Sequence, residues 1–121
     1  MPVSTCRILY VGDATFAEEI ETTAPNWRLW QPENVNDALA MYLFEKPHVI
    51  IVGQAWPCAA DLMMHLQSVR AGPIFLLSNH ADDWSLPFDG TVYVVPADIS
   101  AAQLINTICH RLDWSPFLLN R

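Results

Sequence analysis

The side chains that could do chemistry lie directly after the apolar runs of this sequence, and they are few. Asp13 follows the first run and Ser78 follows the fourth. A hard divalent cation binds through several oxygen ligands, so a single carboxylate at Asp13 would hold it weakly. Ser78 would need an adjacent base to act as a nucleophile, and for the nearby His80 a solvated polar loop is the favoured interpretation. We therefore expect no catalytic residue, no metal site and no bound cofactor.

The rest of the sequence carries no signature of a nucleotide or metal site. It has neither a Walker loop nor a GxGxxG fingerprint. Its three cysteines, Cys6, Cys58 and Cys109, form neither a CxxC pair nor a cluster with histidine. Reduced thiols are therefore expected.

Length and charge limit the class of protein. The chain has 121 residues, enough for one hydrophobic core, so residues 1–121 are treated as a single domain. Six Lys and Arg residues against 13 Asp and Glu residues give a net charge of -7, the wrong sign for direct binding to nucleic acid. No apolar run approaches the roughly 20 residues of a membrane span, and the first residues lack a secretory pattern. We expect a cytoplasmic protein without nucleic-acid or membrane binding.

Five apolar runs of strand length alternate with helical segments along the chain. They cover residues 7–11, 27–30, 49–52, 74–77 and 91–95. Four of the runs are nearly continuous in apolar residues, as strands of a parallel sheet covered on both faces are. The second run contains Arg28 and is expected at an edge. The alternation predicts right-handed crossovers and a doubly wound α/β sheet.

Capping patterns mark the helices between these strands. The pairs are Thr15 with Glu18, Asn34 with Asp37, and Ser100 with Gln103, and a further helix is expected over residues 59–69. Asp13 lies just before the first helix and is favoured as a cap over a metal ligand. The segment 80–90 contains Pro87 and leaves room only for a vestigial, shortened fourth helix.

Four stretches of the sequence resemble landmarks of the receiver domains of bacterial response regulators. They read RILYVGD at 7–13, KPHVIIVGQAWP at 46–57, GPIFLLSN at 72–79 and GTVYVVP at 90–96. In order and at compatible spacings, they carry a resemblance that spans about residues 6–112, with an apolar tail at 113–121. The resemblance implies a flavodoxin-like five-stranded parallel sheet of strand order 2-1-3-4-5.

Most of the positions that support phosphorylation in receivers have residues here that cannot take part in it. The resemblance places the phosphoacceptor at Gly53, which has no nucleophile. It reduces the metal-binding acidic pair to Gly12 and Asp13, and puts Val95 where receivers have a charged lysine. The sequence therefore predicts a degenerate receiver, or pseudo-receiver, that is not an enzyme.

Two family positions keep a suitable side chain. Ser78 stands at the hydroxyl position that senses the phosphoryl group, and Tyr93 at the aromatic position whose ring moves with it. Both residue types also have structural uses in such a sheet. The resemblance further implies a cis peptide bond between Val95 and Pro96.

Tryptophan is abundant for so small a core, with five residues in the chain. Trp84, Trp114 and Phe117 lie in segments that would flank the pairing face of a receiver, formed by its fourth helix, fifth strand and fifth helix. One possibility is that they fill gaps within a single chain. The other is that they contact a protein partner, or a second copy of the chain in a homodimer.

These observations favour a phosphorylation-independent signalling module that acts through protein contacts. Two alternatives stay open: an active receiver with an unconventional acceptor, and a flavodoxin-like module that binds a small molecule. The identity of the partner and the presence of further domains are left open.

Overall fold

The computed structural model describes residues 6–53, 55–79 and 92–112. These residues form β1 (Cys6–Val11), α1 (Ala14–Thr23), β2 (Trp27–Trp30), α2 (Val35–Glu45), β3 (Val49–Gly53), α3 (Ala59–Ser68), β4 (Ile74–Leu77), β5 (Val92–Val95) and α4 (Ala101–Leu112). The five strands are all parallel and lie in the order β2-β1-β3-β4-β5. The predicted doubly wound, flavodoxin-like sheet is confirmed.

Alternate residues of the strands build two separate cores, one on each face of the sheet. Ile8 and Tyr10 of β1 pack on the face that α1 and α4 cover. Leu9 and Val11 pack on the opposite face, under α2 and α3. This explains the nearly continuous apolar runs of β1, β3 and β4, since both of their faces are buried. For the fifth run the same expectation is wrong, because β5 lies at the sheet edge, where Val95 is buried but Val94 is exposed. In β2, at the sheet edge, Arg28 is exposed, as expected.

The helix caps agree with the sequence patterns except at α1. Asn34 Oδ1 accepts a hydrogen bond of 2.8 Å from Asp37 N, and Ser100 Oγ accepts one of 3.1 Å from Gln103 N. At α1 the capping box that begins at Thr15 is wrong. The helix already begins at Ala14, and its cap is Asp13, whose Oδ1 accepts from Thr15 N at 3.2 Å. Asp13 is thus confirmed as a capping residue.

The predicted cis bond between Val95 and Pro96 is wrong. That bond is trans, and the described residues contain a cis bond at Gly72-Pro73 instead. Trans is the lower-energy form of a bond before proline.

Several predictions lie outside the described residues. They are the shortened fourth helix at 80–90, the tail at 113–121, and the candidates Trp84, Trp114 and Phe117. Within the described ranges, no helix combines the length and the apolarity needed to cross a bilayer.

Candidate functional site

The candidate site lies at the carboxyl edge of the sheet, between β1 and β3. The chain leaves β1 toward β2 on one side and returns to β3 on the other, so the strand order reverses at this point. The loops that follow such neighbouring strands diverge and leave a crevice. Here the crevice is a cavity of about 410 Å3. Gly12, Asp13 and Gly53, three of the five positions assigned to the degenerate phosphorylation site, line it.

The other two assigned positions lie next to this cavity. Ser78 directly follows β4, and Val95 is the last residue of the neighbouring β5. Ser78 N donates a 2.9 Å hydrogen bond to Val95 O. Both residues are buried. Leu77, which precedes Ser78, and Ala97, two residues after Val95, contribute to the cavity wall. The structure therefore places all five positions at the carboxyl edge of the sheet.

Gly12 adopts a backbone conformation that side chains rarely tolerate. Its φ is +155°, and a Cβ built on it would lie 2.8 Å from Tyr10 Oη. An acidic residue at this position would therefore strain the backbone and displace the Tyr10 ring. The path of the chain after β1 therefore favours glycine over an acidic residue at this position.

Gly53 is also closely approached by backbone. A Cβ on it would lie 3.3 Å from Val11 O and 3.5 Å from Gly12 Cα. A side chain at this position would therefore contact the backbone at the end of β1 closely.

Tyr10 is a component of the site that sequence reasoning missed. Its buried ring forms part of the cavity wall, and its hydroxyl donates a 3.0 Å hydrogen bond to Asp13 O. Burial, with a smaller contribution from the Asp13 charge, raises the pKa of Tyr10 to about 12. The phenol is therefore neutral at physiological pH and acts as a donor that holds the loop after β1.

Two further aromatic residues, Phe16 and Trp56, also line the cavity and were not singled out for it. Phe16 lies on α1, and its ring centroid is 6.4 Å from that of Tyr10. Trp56 lies in the turn between β3 and α3, where its backbone N–H donates a hydrogen bond to Gly53 O. Both follow a strand end within a few residues, which is the signal that could have identified them.

Asp13 is the acidic residue among the described residues that line the cavity. Its side chain is committed through Oδ1 to the first turn of α1, which opposes the partial positive charge of the helix end. Among the described residues, no cluster of three or more His, Cys, Asp or Glu side chains could hold a metal ion.

Tyr93 lies away from the cavity, near the start of β5. Its ring stacks on Phe75 with centroids 4.9 Å apart, and the guanidinium carbon of Arg111 lies 5.4 Å from its centroid. These contacts hold the ring between the sheet and α4. A switching role for Tyr93 remains a prediction.

Comparison with known proteins supports the fold rather than a family. No model of a protein family matches the chain, and no curated protein sequence matches it. Among solved structures, the chain is similar to the pseudo-receiver domain of the CikA protein, determined by NMR. The two share 18% sequence identity with a TM-score of 0.55, over 87% of this chain and 95% of that one. The similarity establishes a shared receiver-like fold.

Proposed function

We propose that this chain is a phosphorylation-independent, receiver-like signalling module and has no enzymatic activity. The observation that carries the proposal is the replacement of the acceptor position by Gly53, packed against the backbone of β1. Gly12 and Val95 remove the second acid and the lysine of the family site. A neighbour described as a pseudo-receiver domain supports the same interpretation. We place the module in the cytoplasm of a bacterium, in a two-component type of pathway.

The first test exposes the protein to acetyl phosphate and Mg²⁺ and measures its intact mass. We expect no added phosphoryl group, because the chain offers no aspartate at the acceptor position. A stoichiometric gain of one phosphoryl group, lost on substitution of a cavity residue, would instead show an active receiver with an unconventional acceptor.

In place of phosphoryl transfer, the module signals by contact with another protein or a second copy of itself. We assign the contact to the face that contains β5 and α4. β5 lies at the edge of the sheet, and its Val94 is 44% exposed. Trp84, Trp114 and Phe117 belong to the segments that adjoin β5 and α4 in sequence.

A second apolar surface lies at the end of α2 and provides the matched comparison. Leu43 is 62% exposed and Phe44 is 82% exposed. Large apolar side chains exposed together are typical of interaction sites.

Sedimentation of three proteins separates these surfaces. They are the wild type, the double variant Trp84→Ala, Trp114→Ala, and the double variant Leu43→Ser, Phe44→Ser. A wild-type dimer that only the tryptophan variant dissociates into folded monomers supports the β5–α4 face. Dissociation by the α2 variant alone would move the contact to α2, and a monomeric wild type whose tryptophan variant unfolds would place the tryptophans in the core.

A further inference from the structure

The cavity at the degenerate site has the lining of a small-molecule site. Its volume of about 410 Å3 falls in the range of ligand pockets. The rings of Tyr10, Phe16 and Trp56 line it together with Pro57 and Leu77. Tyr10 and Phe16 meet at 41°, so they form two walls of different orientation. Such a lining suits a compact apolar or aromatic body.

Among the described residues that line the cavity, the charged side chain is acidic. Asp13 supplies a carboxylate, while the Tyr10 phenol is uncharged at neutral pH, and burial raises its pKa further, to about 12. Asp13 Oδ1 accepts from Thr15 N, and within the described part of the chain the second oxygen, Oδ2, accepts no hydrogen bond. A carboxylate beside aromatic rings attracts an organic cation by charge and by cation–π contact.

Among the described residues, the basic side chains lie at one edge of the sheet, whereas acidic side chains lie at both, with Glu21 and Glu45 near the ends of α1 and α2. All Lys and Arg residues that the structure describes lie at the start of a strand or at the end of a helix, which is the amino edge. They are Arg7, Arg28, Lys46, Arg70 and Arg111. The carboxyl edge, which carries the cavity, holds Asp13, Glu33, Asp37, Asp61 and Asp98. A cation approaching the cavity therefore meets a favourable potential and an anion an unfavourable one.

The starts of α1 and α3 near the cavity would by themselves favour an anion. Each is opposed by a carboxylate. Asp13 caps the first turn of α1, and Asp61 lies in the first turn of α3. An anion in the cavity would face these negative charges without a neighbouring Lys or Arg from the described residues.

We propose that this cavity binds a small organic cation with an aromatic or branched apolar body. The ammonium group lies beside the Asp13 carboxylate, and the apolar body lies between the Phe16 and Trp56 rings. This goes beyond the proposed signalling function, because binding requires neither phosphorylation nor a protein partner. A failure of ligand binding would leave the phosphorylation and sedimentation tests unaffected.

The test compares three probes of similar shape by NMR titration of the ¹⁵N-labelled protein. They are 2-phenylethylammonium, neutral 2-phenylethanol and anionic 3-phenylpropanoate. We expect the cation to shift the amide signals of Gly12, Gly53 and Ala97 and the indole signal of Trp56. We expect it to bind about fivefold more tightly than the neutral probe, since one charge pair at contact distance in water contributes about that factor.

Two variants of equal charge change show whether Asp13 is responsible. Asp13→Asn removes the charge but keeps a good capping side chain, so α1 is retained. It should weaken binding of the cation about fivefold and leave 2-phenylethanol unchanged. Asp98→Asn is the control, because Asp98 lies at the same edge outside the cavity lining, and it should leave both affinities unchanged.

Three results would overturn the proposal. The first is tighter binding of 3-phenylpropanoate than of the cation, which would indicate an anion site. The second is an equal loss from Asp13→Asn and Asp98→Asn, which would indicate only general charge attraction. The third is the absence of cavity shifts up to about 10 mM of every probe, a weak limit even for small ligands.

Discussion

At the scale of single residues, Gly12 controls the shape of the site. Its φ of +155° is one that other residues rarely adopt, and an added Cβ would lie 2.8 Å from Tyr10 Oη. We expect Gly12→Ala to lower the free energy of unfolding by about 1–3 kcal/mol, the usual cost of a strained backbone conformation. Gly53→Ala should cost less, because its Cβ would meet Val11 O at 3.3 Å without an unfavourable φ. Urea unfolding followed by circular dichroism measures both.

The Tyr10→Phe background separates the two causes of the Gly12 penalty. Removing the hydroxyl takes away the 2.8 Å contact but leaves the φ strain. The cost of Gly12→Ala should then fall by about 1 kcal/mol in a double-mutant cycle. Asp13 O stays satisfied in this background because Ala17 N also donates to it at 3.1 Å. An unchanged cost would mean that the Tyr10 ring moves aside freely.

The three thiols should differ sharply in reactivity. Cys58 is exposed, whereas Cys6 and Cys109 are each 1% exposed, and burial raises the pKa of both to about 11. At about pH 8 we expect a thiol reagent to label Cys58 at once, and Cys6 and Cys109 only in denaturant. Mass spectrometry of the labelled peptides measures this. Rapid native labelling of Cys6 would contradict its burial under α4.

The same thiols make the fold sensitive to alkali. Their ordinary pKa near 9 applies in the unfolded chain, and about 11 applies in the folded one. Because the folded chain holds both thiols in the neutral form, their contribution to the free energy of unfolding is complete below pH 9. It is lost as the pH rises through 11.

The residues of the site were predictable to different degrees. Gly53 and Asp13 could be assigned because strand ends are readable from apolar runs, and a parallel sheet brings them to one edge. Tyr10 was missed because an aromatic residue inside a strand looks like ordinary core. Its role depends on Gly12 turning the chain so that Asp13 O reaches the hydroxyl, and sequence spacing does not contain that turn.

At the scale of elements, the caps decide where the helices begin. Asn34 ends the loop after β2 and accepts a 2.8 Å hydrogen bond from Asp37 N. We expect Asn34→Ala to lower the free energy of unfolding by about 1 kcal/mol, the typical cost of losing such a cap. Denaturant unfolding measures the change.

Asn36→Ala is the matched control for Asn34→Ala. Asn36 is exposed on the first turn of the same helix. Because alanine has the higher helix propensity, Asn36→Ala should leave the stability unchanged or raise it slightly. An equal loss from both variants would indicate that the asparagine side chains act through something other than the cap.

The ends of helices and strands were predictable where they depend on residues close together in the sequence. Strand ends and the caps Asn34 and Ser100 follow from apolar runs and capping chemistry, which act within a few residues. The start of α1 was placed two residues late, because Thr15 and Asp13 both offer a capping oxygen. The isomer of the bond before Pro96 could not be read from local sequence, because the cis and trans forms before proline differ by only about 0.5–1 kcal/mol.

At the scale of the whole molecule, two cores share one sheet without sharing side chains. Ile108 of α4 belongs to the core beneath α1 and α4, and Ile74 of β4 belongs to the core beneath α2 and α3. Both are fully buried. The backbone of the sheet separates the two cores. Side chains of one core therefore cannot move to fill a cavity made in the other.

We therefore expect Ile108→Val and Ile74→Val each to lower the free energy of unfolding by about 0.5–1.5 kcal/mol. Their effects should add in the double variant to within about 0.5 kcal/mol, as for sites without common partners. The comparison pair is Ile108→Val with Ile20→Val, since Ile20 of α1 lies in the same core and α1 packs against α4. The losses in the free energy of unfolding should not add for that pair. The reason is that α1 and α4 can move together to fill the space left by both removed methyl groups. Urea unfolding of the five variants tests this, and strong coupling between Ile108 and Ile74 would show that the sheet transmits repacking from one face to the other.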